Sequence, residues 1–194
     1  DPMIRSFTDA DVPDQTGRTF FVTGANTGIG FEATRVLARQ GARVLIGCRS
    51  RSKAEDARAR ILAETGTADI ELVELDLADL ASVESAAARV LEEPRLDVLI
   101  NNAGVMIPPL SHTEQGFELQ IGVNHLGPFA LTGLLLEKLE GLEGARIVNT
   151  SSNGHRMTSR IDFDDPKAEQ GYNAMDRYAQ SKLANLLHGY ELDH

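Results

Sequence analysis

No tryptophan occurs among the 194 residues, aromatic side chains make up only 5%, and there is a single cysteine, Cys48. One cysteine excludes an intramolecular disulfide framework and any cysteine-rich zinc site. The five histidines show no metal-ligand spacing, so no metal is expected. Positive charge is also short: 19 Lys and Arg face 29 Asp and Glu, a formal net charge of -10. That balance argues against nucleic acid and anionic membranes as general partners. An anionic ligand would need a local set of positive groups and backbone N–H donors. No apolar run approaches the roughly 18 residues of a transmembrane helix, and no signal peptide opens the sequence. No membrane span is therefore expected, and the expected location is cytoplasmic. What is present is an ordinary balance of 42% hydrophobic and 25% charged residues. The length suits one domain of about 100–200 residues with a core of its own.

Residues 1–17 are polar and carry Pro2 and Pro13, which reads as a loose N-terminal arm ahead of a domain over 18–194. Short apolar runs then alternate with helical patterns. Strands are expected at Arg18–Thr23, Ala42–Gly47, Ile70–Leu75, Leu96–Ile100 and Ala145–Thr150. They are rich in Val, Ile, Leu and Phe without strict alternation, as parallel strands covered on both faces are. Helices are expected at Ile29–Gln40, Lys53–Glu64, Leu80–Glu92 and Glu118–Leu139, with Gly41 and Pro94 as stop signals. Phe117, Phe129 and Leu131 sit at helical intervals and read as core. This alternation predicts βαβ units with right-handed crossovers, an α/β fold with a doubly wound parallel sheet of Rossmann type. Asn153–Ala174 has no period and carries Gly154, Pro166 and Gly171; it reads either as a functional lid or as a solvated insertion.

Thr23-Gly24-Ala25-Asn26-Thr27-Gly28-Ile29-Gly30 leaves the first strand and opens the first helix. Glycines permit the tight turn, the close approach of backbone to a pyrophosphate and the packing of helix on sheet. The helix N-terminus offers free N–H groups and a partial positive charge to phosphates. A dinucleotide site is expected there, the alternative being a plain glycine-rich connection. An acid at the end of the second strand would hold the ribose hydroxyl of NAD. The sequence instead reads Gly47-Cys48-Arg49-Ser50-Arg51. A guanidinium there binds a 2′-phosphate through charge-assisted hydrogen bonds. NADP(H) is therefore favoured over NAD(H), with Arg49 as selector and Ser50 or Arg51 in support. The alternative is that these arginines begin a solvated helix. Cys48 reads as buried strand filler.

Further motifs follow in order: Asn101-Asn102-Ala103-Gly104 after the fourth strand, Asn124 in Val123-Asn124-His125-Leu126-Gly127, Ser152 after the fifth strand, and Tyr178-Ala179-Gln180-Ser181-Lys182. Together with the glycine loop, they resemble the short-chain dehydrogenases/reductases from about Gly17 onward. Arg49, the His125-Leu126-Gly127 run and the long segment before Tyr178 look most like the retinol dehydrogenase-like and protochlorophyllide reductase-like branches. The resemblance implies strand order 3-2-1-4-5. It also implies that Asp76 and Leu77 lie at the adenine ring, and Asn102, Ala103 and Gly104 under the ribose and nicotinamide. Asp76 could instead cap the following helix. Family members continue through another strand, a capping segment and a final strand, so the resemblance implies a domain whose last strands are missing from this sequence.

Tyr178 and Lys182 are four residues apart and share one helix face; this helix is expected to begin near Tyr178. A tyrosine hydroxyl, with an ordinary pKa of about 10, is a poor proton carrier at neutral pH unless an ammonium beside it favours the phenolate. The resemblance implies that Tyr178 is the acid or base at the substrate oxygen and that Lys182 also holds the nicotinamide ribose. It implies that Ser152 donates to the substrate oxygen and that Asn124 anchors a relay water. Ser151 is an alternative to Ser152. The expected function is an oxidoreductase passing hydride between the nicotinamide and a lipophilic carbonyl or alcohol. The alternative is a non-catalytic dinucleotide-binding or interaction protein. Light-dependent C=C reduction is a further option that no feature demands. The family's assembly through the helices near 118–139 and 178–192 implies a homodimer or homotetramer.

Overall fold

A computed structural model describes residues 7–193; the first six residues of the expected arm lie outside the described residues. Five parallel strands form one sheet: β1 (Thr19–Thr23), β2 (Arg43–Cys48), β3 (Asp69–Glu74), β4 (Val98–Asn101) and β5 (Arg146–Asn149). Their order is β3-β2-β1-β4-β5, as expected. Register is set on the central strand, where Val22 faces Ile46 of β2 and Ile100 of β4.

The absence of hydropathic alternation in the strands has a direct structural cause. Phe20 and Val22 of β1 enter one core with Phe31, Val44, Ile46, Ala57 and Ile61. Phe21, between them, enters the opposite core with Leu45, Leu99, Val83, Leu131 and Leu135. Successive side chains point to opposite faces, and both faces are covered. Helices α1 (Gly28–Arg39) and α2 (Arg51–Thr65) cover the first face, and α3 (Leu80–Leu91) and α5 (Gly127–Glu140) the second. The remaining helices are a short α4 (Leu119–Ile121) and the long α6 (Ala174–Leu192).

Differences from the expected elements have local causes. α6 starts at Ala174 rather than near Tyr178, because the Asn173 side chain accepts from the backbone N–H groups of Met175 and Asp176, each at 3.1 Å. α2 starts at Arg51, two residues earlier than expected, behind the Ser50 cap. The expected helix over 118–139 is interrupted by a π turn at Gly122–Leu126, closed by Gly127 N–H on the Gly122 carbonyl. Pro128 has no N–H, so the Asn124 carbonyl four residues back receives no α-helical bond from it. Glu118, fully buried, caps α4 by accepting from Gln120 and Ile121 N–H at 2.9 and 3.0 Å. Leu131 is core, but Phe129 is 53% exposed, because it falls on the outer side of α5. Phe117 precedes the helix. The 22-residue helical stretch Leu119–Glu140 has the length and apolarity of a membrane span. Its apolarity is accounted for by Leu131, Leu135 and Leu139, which pack against the sheet.

Charged groups close the amino end of the sheet. Arg43 pairs with Asp69, Glu71 and Glu93, and Arg89 with Glu71 and Glu93. Asp97 accepts from the Thr19 N–H at 2.8 Å and from Arg95. Residues 9–15 lie against α1 through Asp9 on Arg35 and the Gln15 N–H on the Gln40 carbonyl.

Candidate active site

The carboxyl ends of the strands open onto a cleft of about 360 Å³. It lies where strand order reverses between β1 and β4, the place at which doubly wound sheets hold ligands. Gly24, Asn26 and Thr27 line it from the turn after β1, Arg49 from β2, Asp76 and Leu77 from β3, and Asn102, Ala103 and Gly104 from β4. The turn needs glycine at position 24: φ is +66°, and a Cβ there would stand 2.8 Å from the Ala103 Cα. A Cβ on Gly30 would collide with the Asn102 amide and the Gly24 carbonyl. Gly28 opens α1, and Ile29 beside it points outward at 78% exposure, away from the cleft.

A pair of side chains that sequence reasoning credited only in part ties this turn to β4. The Thr23 hydroxyl accepts from the N–H groups of Asn102 and Ala103 at 3.1 Å each. The Asn102 amide donates to the carbonyls of Thr23 and Gly24 at 3.0 and 3.3 Å. Thr23 was legible only as the last residue of a strand. Such a cradle, with glycine at its closest approach, fits a dinucleotide phosphate.

At the outer end, Arg49 is exposed and stands 3.9 Å from Asp76. Ser50 is spent as the cap of α2, accepting from the Lys53 N–H. The Asp76 carboxylate accepts from the Ala78 N–H, and its own N–H donates to Ser82. The cap of α3 is Asp79, not Asp76. Cys48 is buried with its thiol on the Ser50 carbonyl, and burial pushes that thiol up.

The second cluster gathers on α6 beside the cleft. Lys182 is buried, its Nζ donating to the Thr150 carbonyl at 3.2 Å and standing 5.8 Å from the Tyr178 ring centre. Burial pushes this ammonium below the ordinary lysine range, because the charged form loses water. Gly104 links the two clusters: a Cβ there would lie 3.5 Å from Lys182 Nζ and 3.0 Å from Asn124 Oδ1. The two serines separate cleanly. Ser151 turns to the helix backbone, its hydroxyl on the Lys182 carbonyl at 2.7 Å. Ser152 accepts from the Gly154 N–H, and Gly154 packs against the Tyr178 ring. Asn124 is buried and its side chain fully engaged: Oδ1 accepts from the Val105 N–H, and Nδ2 donates to the Val105 carbonyl and to Ser181. Ser181 in turn donates to the Tyr178 carbonyl. Its part could not be foreseen, since a serine between Tyr178 and Lys182 carries no spacing signal.

The 153–174 segment is tied down along its length. Arg177 pairs with Asp165 at 3.0 Å with both side chains buried. Gln180 accepts from the Asp162 N–H, and the Tyr172 hydroxyl donates to the Pro108 carbonyl at 2.7 Å. Among the described residues no group of three or more His, Cys, Asp or Glu is arranged to hold a metal ion.

Comparison with known proteins agrees with this geometry. The sequence model of the short chain dehydrogenase family matches residues 18–161. Mouse retinol dehydrogenase 12 is 47% identical over 98% of this chain and 62% of its own length. Mouse retinol dehydrogenase 11 is 51% identical over 91% of this chain and 56% of its own. The chain thus spans less than two thirds of these relatives. Among solved structures, a protein of Mycobacterium paratuberculosis superposes with a TM-score of 0.83 at 44% identity, covering 96% of this chain and 65% of that one. An Escherichia coli short chain dehydrogenase complexed with NADPH superposes at 0.68 with 31% identity, covering 88% of this chain and 68% of that one. By the extent of the family match and by its fold, the chain belongs to the short-chain dehydrogenases.

Proposed function

We propose that this chain carries the cofactor-binding and proton-handling half of an NADP(H)-dependent oxidoreductase acting on a carbonyl or alcohol. The observation that carries the reading is the approach of the buried Lys182 ammonium to the Tyr178 ring, with the Ser152 hydroxyl and that ring both close to Gly154. The nicotinamide, when bound, supplies or takes up the hydride, which is chemistry no side chain provides. Tyr178 passes the proton to or from the substrate oxygen. Lys182, with one hydrogen-bonded acceptor among the described residues, keeps donors for a ribose hydroxyl. The Ser152 hydroxyl donates to the same substrate oxygen and steadies the charge that develops there. The Asn124 carbonyl, left without a bond from Pro128, is the acceptor that a relay water to Lys182 needs.

Arg49 stands exposed at the outer end of the cleft, free to turn to a 2′-phosphate, and NADPH-bound structures occur among the neighbours. The retinol dehydrogenase relatives support a lipophilic alcohol or aldehyde as substrate. Met106, Ile107 and Leu110 after β4 and Met157 after β5 are all exposed on the segments that leave the site. Assembly through α5 and α6 is supported by the exposed Phe129, Leu134, Leu187 and Tyr190; light scattering that finds only monomers contradicts it.

Calorimetric titration with NADPH and with NADH tests the cofactor reading. NADPH is expected to bind at least about tenfold more tightly, as one charge-assisted contact provides. Arg49→Ala is expected to erase the difference. Equal affinities for the unaltered chain would remove Arg49 as selector, and binding of neither would overturn the reading.

A further inference from the structure

Among the described residues Lys182 has one hydrogen-bonded acceptor, the Thr150 carbonyl, and no carboxylate pairs with it. That carbonyl is shared. Asn185, three residues further along α6 and 6% exposed, donates its amide Nδ2 to the same oxygen at 3.2 Å. The orientation of the amide follows from the chemistry of its neighbours. A carbonyl only accepts, so the Asn185 nitrogen faces Thr150 and its oxygen faces the other way, toward His125 Nδ1 at 3.2 Å. His125 must therefore carry its proton on Nδ1. Burial holds this imidazole below the ordinary histidine range, so it is neutral at pH 7.

We propose that Asn185 is a positioning residue for Lys182, its amide fixing the Thr150 carbonyl on which the ammonium rests, and that His125 fixes the amide. None of the three touches the substrate oxygen in the proposed chemistry; they act through Lys182. The inference rests on the reading of Lys182 as the ammonium beside Tyr178. The Thr150 peptide unit lies past the end of β5, where its N–H is tied to the Asn101 carbonyl. On its oxygen side the carbonyl itself accepts from Asn185 as well as Lys182, and the adjoining Ser151 hydroxyl holds the same turn to the Lys182 carbonyl of α6. The groups facing Lys182 are Tyr178 on its own helix, the backbone at Gly104, the Asn124 amide and Thr150. None of these is a carboxylate, so a well-placed carbonyl dipole is what compensates the buried charge.

The sequence has four lysines, Lys53, Lys138, Lys167 and Lys182, so side-chain NMR of isotopically labelled lysine resolves Lys182 without a reporter. The test is the titration of Lys182 in the unaltered chain, in Asn185→Leu and in His125→Phe. If the carbonyl swings away while the site stays dry, the ammonium loses its acceptor, and the Lys182 pKa falls by about one unit in Asn185→Leu. The fall is smaller in His125→Phe. A generally loosened helix gives the opposite sign, because water entering the site raises the value toward that of free lysine. A rise, or no change, in both variants overturns the proposal. Should Asn185→Leu fail to fold, His125→Phe alone decides, by the same sign. Titration of the same samples with NADPH separates the two readings. A fall in the lysine pKa without NADPH binding upholds the positioning role and contradicts the proposed function.

Discussion

The two ends of the sheet treat charge in opposite ways. At the amino end, Glu93 is 5% exposed yet meets two guanidinium groups, and Arg43 meets three carboxylates. At the carboxyl end Lys182 is equally buried, but among the described residues its hydrogen-bonded acceptor is a backbone carbonyl and no carboxylate pairs with it. A buried charge is tolerable when it is paired and costly when it is not. The first end is therefore built for stability, and the second buries an ammonium against a backbone carbonyl with no carboxylate paired to it among the described residues. Strain and cost of that kind collect where chemistry is done.

Substitutions at the two ends should break this symmetry in opposite directions. Glu93→Gln removes the shared carboxylate and leaves Arg43 and Arg89 short of a partner, costing about 3 kcal/mol in denaturant unfolding. The same network gives a pH signature. Arg43, bonded to Glu93, outweighs burial and holds the Glu93 carboxyl below the usual glutamate range. Its contribution is thus fully present above about pH 4.3 and is lost as pH falls through the depressed folded value. An acid unfolding curve unchanged by Glu93→Gln would contradict this assignment.

Lys182→Met is expected to act the other way, raising stability by about 1–2 kcal/mol at neutral pH while removing activity. The sign follows from its depressed folded pKa. Below that value both folded and unfolded chains carry the proton, and the folded one bears the cost of burying it. In the unaltered chain, stability recovers only as pH rises from the folded value toward about 10.4. A lower melting temperature for Lys182→Met at neutral pH would show that the ammonium is stabilising and that the contrast between the two ends is wrong.

Most of the frame was legible because it rests on short-range rules. Apolar runs marked all five strands to within two residues at each end, and the glycines at 24, 28 and 30 marked the turn. The spacing of Tyr178 and Lys182 put them on one helix face, and the family resemblance singled out that pair. What stayed hidden depends on partners distant in sequence. Thr23 and Ser181 matter through hydroxyls aimed at Asn102, Ala103, Asn124 and Tyr178. Phe129 and Leu131 read together as core, yet two residues apart on a helix they fall on nearly opposite sides of α5, and only Leu131 meets the sheet. The choice between Ser151 and Ser152 needed the position of α6. Asp76 lines the cleft, while the helix cap that was its other reading falls to Asp79.

The central claim is that the second cluster handles a proton beside a dinucleotide held by the first. Tyr178→Phe tests it most directly, since it removes one hydroxyl and leaves the ring against Gly154. NADPH affinity and NADPH oxidation with a lipophilic aldehyde are measured on the same preparation. Turnover is expected to fall at least about 100-fold, with NADPH affinity unchanged. Turnover equal to that of the unaltered chain would contradict the account.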